Sequence, residues 1–185
     1  MVPIKAQASR IPGVSGRVAS DIMFENMVNK FQWGNIDTED LYMDENNLRM
    51  TTNLRLQFSN LAEMLIREGD TERAKITLAR CLEVMPEKNV PYNRVMTPIV
   101  ESLVRLEENE KAAEIIQKLY AIQKQNAEYY MQLDSEDLKP LSEDLQISFA
   151  IANRMVSLAE FAKLDFVDSL KNDLKELENQ VQTRL

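Results

Sequence analysis

The chain has no histidine and only one cysteine, Cys81, among 185 residues. The missing histidine excludes His-ligated zinc sites, Ser-His-Asp triads and Cys-His dyads. A single cysteine excludes an intrachain disulfide and a Cys-rich metal site. The four glycines stand at 13, 16, 34 and 69, and none belongs to a phosphate-cradling G-x-G-x-x-G or P-loop motif. No run of 18 apolar residues occurs, so no segment reads as a membrane span. Acids outnumber bases 30 to 22, a net charge of −8, which argues against a nucleic-acid partner. No catalytic, cofactor-binding or metal-ligating residue is assigned, and no cofactor is expected.

What remains is helical patterning. Residues 1–18 read as an extended basic arm punctuated by Pro3, Pro12, Gly13 and Gly16. The arm holds Lys5, Arg10 and Arg17 and no acid, so it is +3 and the rest of the chain is −11. It lacks the apolar core of a signal peptide. Residues 19–43 form an N-terminal helix and loop. Ile22, Met23, Met27, Val28 and Phe31 fall at helical spacing, Ser20 is a plausible N-cap, and Gly34 suits a left-handed C-cap. Residues 44–185 form a helical domain. Helices are expected over 44–68 and 72–84, with Gly69 between them and Asp70 or Thr71 as the second N-cap. Pro98 leaves two readings of the next helix, about 92–107: a late start with Thr97 as N-cap, or a kink. Helices over 109–133, 142–162 and 166–184 follow, with an acidic loop over 134–144. No segment alternates with period two, so the fold class is all-α.

The helices repeat. Residues 55–88 fit the tetratricopeptide pattern of antiparallel helix pairs. Phe58, Leu65 and Leu78 fill the groove between the helices, while Ala62 and Ala74 are small enough for close approach. Gly69 permits the turn, and Pro86 ends the second helix. Cys81 reads as a small buried residue. Met96, Ile99, Val100, Leu103, Ala112, Ile116 and Leu119 repeat the pattern 38 residues later, with Glu107 in place of the turn glycine. The pairs are therefore 44–88, 92–133 and a degenerate third pair or cap over 142–184. Such arrays bury their faces by stacking and serve as binding scaffolds.

Counting along the first helix of each pair places Ser59, Glu63 and Arg67, then Arg94, Thr97, Glu101 and Arg105, on the concave face. Carboxylate-clamping repeats carry Lys and Asn at the positions held here by Ser59, Glu63, Thr97 and Glu101, so that mode fails. A mixed-charge groove for a peptide or protein remains, beside the plainer reading of solvated helix faces. Glu63 and Glu101 invite a paired-carboxylate reading, but nearby arginines and no evident apolar setting oppose it. The acids from Asp37 to Glu45 lack calcium-loop spacing and read as caps and surface. Trp33, Tyr129 and Tyr130 could stack on a sugar, which would make the chain a carbohydrate-binding module; aromatics at helical spacing more commonly fill a core.

Three stretches carry a family resemblance: ASDIMFENMVNKFQWGNID, LYMDENNLRMTTNLRLQFSNLAEMLIREGD and CLEVMPEKNVPYN. They resemble the C-terminal soluble region of Bacteroidetes multi-pass membrane proteins of the protein O-mannosyltransferase-like family. Phe24, Asn26, Met27, Lys30, Phe31, Trp33, Gly34, Asn35, Asp44, Glu45, Asn46, Arg49 and Met50 carry it. The resemblance implies a complete protein with an N-terminal membrane region of GT-C glycosyltransferase type. This chain would be its non-catalytic, periplasmic tail. Its partners would be its own membrane domain, an acceptor protein or a second copy. Asn26, Lys30 and Asn35, with Trp33 beside them, are the candidate surface toward that partner; helix capping and solvation are the plainer roles. The +3 flank opposes this placement under the positive-inside rule. The alternative is a standalone cytoplasmic tetratricopeptide adaptor, should the chain be complete.

Overall fold

The computed structural model describes residues 19–184; the basic arm over 1–18 lies outside the described residues. The described chain is all helical, without strands. It divides after Val95 into two compact units.

In the first unit, α1 (Ser20–Phe24) continues as a π-helical stretch over Glu25–Lys30. A long α2 (Glu45–Glu68) and α3 (Thr71–Val84) follow. Asp44 caps α2 by accepting from the Asn47 amide at 2.8 Å, and Asp70 caps α3 by accepting from the Arg73 amide at 3.1 Å. Gly69 sits between them at φ +82°, where a Cβ is costly. Its amide donates to Ile66 O and the next amide, of Asp70, to Leu65 O, the paired bonds that end a helix on a left-handed residue. Phe58, Leu61, Ala62, Leu65, Ala74, Leu78 and Cys81 are all fully buried.

Two expectations for this unit are corrected. Ser20 is not the N-cap: Ala19 is, with no side-chain cap bond, and Ser20 Oγ instead donates to Glu68 Oε2 at 2.6 Å. Gly34 adopts φ +60°, but in the turn beyond Trp33, since the helix has already ended at Lys30.

The second unit holds α4 (Met96–Arg105), α5 (Asn109–Gln132), a single turn α6 (Ser135–Leu138), α7 (Ser142–Phe161) and α8 (Val167–Arg184). The α4 helix starts late, so Pro98 lies in its first turn, where a missing amide proton costs nothing. Thr97 is thus inside the helix. The expected loop over 134–144 is instead helical: Asp134 caps α6 by accepting from the Glu136 and Asp137 amides, and a 3₁₀ turn over Lys139–Leu141 leads into α7. Helices α5 and α7 pack antiparallel, with Ala127 and Met131 of α5 meeting Leu145 of α7 and Leu177 of α8. Helix α8 is tied to α5 by Tyr120 Oη donating to Leu170 O and by a Lys124–Asp173 ion pair at 2.8 Å.

Two further helix ends in this unit copy the Gly69 turn without glycine. Glu107 (φ +60°) donates from its amide to Val104 O, and Glu108 to Leu103 O. Lys163 (φ +54°) donates to Glu160 O, and Leu164 to Ala159 O.

Candidate interaction surfaces

The seven groove candidates divide between the units, and their exposures differ. Ser59 is 3% exposed, which leaves it nothing to offer a partner. Glu63 is half-buried and paired with Arg67 at 2.6 Å, one helical turn away. Arg94 is exposed. In the second unit, Thr97 is partly buried and its Oγ1 has no hydrogen-bond partner. Arg105 is exposed at the end of α4. Glu101 accepts from Arg154 of α7, its Oε1 lying 2.7 Å from Nε and 2.6 Å from Nη2. Each candidate carboxylate, Glu63 and Glu101, is therefore held by an arginine. A general acid needs an apolar setting, so neither has the environment of one.

The N-terminal segment is anchored where the hairpin α2–α3 turns. Arg73 donates to Asp21 at 2.7 Å and to Asp70 at 2.6 Å, and its guanidinium lies 5.5 Å from the Phe24 ring. These bonds hold the Asp70 carboxyl below its ordinary range and push the Arg73 guanidinium up. Asn26 is partly buried, and its carbonyl accepts from the Phe31 amide. Lys30 is exposed, 3.5 Å from Glu25. Asn35 is exposed at φ +65°, its carbonyl accepting from the Thr38 and Glu39 amides. Lys30 and Asn35 thus present polar surface, while Asn35 also builds its own turn. Trp33 stacks at 5.5 Å on the buried Phe58 and at 6.1 Å on Phe31, with a buried Nε1 that finds no acceptor. Its main contact is thus with the core. Tyr129 and Tyr130 meet edge to face at 5.8 Å; Tyr129 is exposed, while Tyr130 packs against the α5–α7–α8 cluster.

Arg55 and Asn89 are among the buried polar side chains that the sequence does not single out, and each ties down a loop. Arg55, 1% exposed, donates from Nη2 to Met85 O at 2.9 Å and Val90 O at 2.7 Å, and from Nη1 to Pro91 O at 3.2 Å. Its guanidinium also lies 5.4 Å from the Tyr92 ring. Burial pushes its pKa down, because the charged form loses water that the three carbonyls only partly replace. Asn89, 4% exposed, donates to Ile36 O and Glu39 O, both at 2.6 Å, and accepts from the Leu41 amide. Arg55 fixes the segment after α3, and Asn89 fixes the loop before α2. Cys81 is buried, and desolvation pushes its thiol up to about 12, so it is a core residue and no nucleophile at neutral pH.

Among the described residues, no helix is long and apolar enough to cross a membrane. Comparison with protein-family models, with curated proteins and with solved structures returns no match.

Proposed function

We propose that this chain is a non-catalytic protein-interaction domain built from tetratricopeptide-like helix pairs. The observation that carries the reading is a buried register used three times. Phe58, Leu61, Ala62 and Leu65 precede the Gly69 turn; Met96, Ile99, Val100 and Leu103 precede Glu107; Ala152, Met155, Val156 and Ala159 precede Lys163. Every one of these twelve side chains is buried, and each set stands at the same distance from its left-handed residue. The second helices follow suit: Ala74, Leu78 and Cys81, then Ala112, Ile116 and Leu119, are buried, and Leu174 and Leu177 of α8 hold the same spacing after a turn two residues longer. Stacked helix pairs of this kind present extended surfaces to binding partners.

The biological setting we propose comes from the sequence resemblance: the extramembrane tail of a glycosyltransferase-like membrane protein, on the periplasmic side. There it would engage the membrane region or the acceptor protein, with Glu63, Arg67, Lys30 and Asn35 as the exposed or half-exposed polar contacts. The isolated chain is then expected to transfer or hydrolyse no sugar when offered a lipid-linked donor and a peptide acceptor. Turnover by the isolated chain would overturn the reading.

A further inference from the structure

Residues 19–43 lie against the α2–α3 hairpin and bury little of themselves. Of these 25 side chains only Ser20 and Met27 are buried, against five of 14 in α3, so hydrophobic burial holds the segment weakly. Polar ties grip it at both ends. At the start, Ser20 Oγ donates to Glu68 Oε2 at 2.6 Å, and Arg73 donates to Asp21 at 2.7 Å. At the end, Asn89 donates to the Ile36 and Glu39 carbonyls and accepts from the Leu41 amide. Beside it, Lys88 pairs with Asp40 at 2.8 Å. Between the two grips Trp33 leans on Phe58, its Nε1 buried and without an acceptor. That orphaned donor costs free energy only while the segment is seated, because water satisfies it on release.

We infer that residues 19–43 are a strap that lifts from the hairpin as one unit while α2 and α3 stay folded. Segments with few buried apolar contacts open at a free energy below that of global unfolding. The hairpin keeps its own core, since α2 and α3 pack on each other and hold Leu61, Leu65, Ala74 and Leu78. Releasing Asp21 strands no charge either, because Arg73 retains Asp70 at 2.6 Å. Lifting takes Trp33 off Phe58, a ring that is fully buried when the strap is seated. The strap is thus a gate over Phe58, latched at Arg73 and Asn89.

Native-state hydrogen exchange of the full chain tests this. The Met23 and Phe31 amides bond within the strap, and the Leu41 amide bonds to Asn89. All three should share one protection factor, about 100-fold or more below those of Leu61 and Leu65. Asp21→Asn, at a well-exposed position, should lower all three by the same factor, about three- to fivefold, the scale of one surface ion pair. Leu78→Val weakens the hairpin in both strap positions. It should lower the Leu61 and Leu65 protection about three- to tenfold and leave the strap amides unchanged. Strap amides as protected as Leu61 and Leu65 would overturn the inference. So would a strap that Leu78→Val loosens by the same factor as the core. A response to Asp21→Asn at Met23 that spares Leu41 would show that the two ends open separately, and would overturn it too.

Discussion

Replacing Arg55 by methionine tests whether a buried charge can stabilise this fold without a carboxylate among its hydrogen-bond partners. The guanidinium donates to the Met85 and Val90 carbonyls in the interior and to the Pro91 carbonyl at its edge. Methionine fills much of the volume but donates nothing. Two buried carbonyls would lose their donor at about 1–3 kcal/mol each. Against this, the substitution removes the cost of desolvating the charge, the same effect that pushes the Arg55 pKa down. We expect the unmade bonds to win by about 2–3 kcal/mol, because charge-assisted bonds already offset most of the desolvation in the native protein. For a chain of this length that is a fall of about 4–12 °C in Tm. Arg55→Lys keeps the charge but loses the planar fork, and should cost about 1–2 kcal/mol. Urea unfolding followed by circular dichroism measures both. If Arg55→Met were as stable as the parent or more so, desolvation would dominate and the role given to the Arg55 bonds would be wrong.

Asn89→Asp exchanges two donated bonds for a carboxylate facing the Ile36 and Glu39 carbonyls; it should cost about 2–4 kcal/mol and expose 36–41 to limited proteolysis. Glu107→Gly relieves a left-handed φ of +60° and should raise stability by about 0.5–1 kcal/mol, read as a Tm gain of a few degrees; a loss would mean the Glu107 side chain has a contact worth more than the strain. Cys81 and Tyr120 are both pushed up to about 12, from 9.0 and 10.0, chiefly by burial. Groups raised in the folded state contribute stability that is intact below the unfolded pKa, so stability should hold to about pH 9 and decline between about 9 and 12. Cys81→Ala should flatten the first part of that decline in pH-resolved urea titrations. The Cys81 thiol should also resist iodoacetamide at pH 8 until the chain is unfolded.

The helices were legible because their ends are chemically marked. Asp44, Asp70 and Gly69 bracket the first pair, and the i, i+3, i+4, i+7 apolar spacing of Phe58, Leu61, Ala62 and Leu65 fixes its buried face. The apolar residues of the second pair were found the same way. What escaped were features whose cause lies far along the chain. Arg55 reads as a surface charge until carbonyls 30 to 36 residues later are brought to it. Asn89 carries no local signal of its role, since its acceptors, Ile36 O and Glu39 O, lie 53 and 50 residues earlier. Ser20 has an N-cap's chemistry, but Glu68, 48 residues away, offers its hydroxyl a better acceptor. The acidic run after Leu133, with Pro140, has the composition of a loop, although Asp134 in that run is a helix N-cap. Among the site residues, the polar identity of Ser59 was visible and its burial was not, because a repeat count gives a helix face without saying what covers it.

Blotting membrane and soluble fractions of source cells with an antibody to this chain tests the proposal that it is the interaction tail of a larger membrane protein. The expected band is far larger than 21.4 kDa and confined to the membranes. A band near 21.4 kDa in the soluble fraction would contradict it and point to a free-standing helical adaptor.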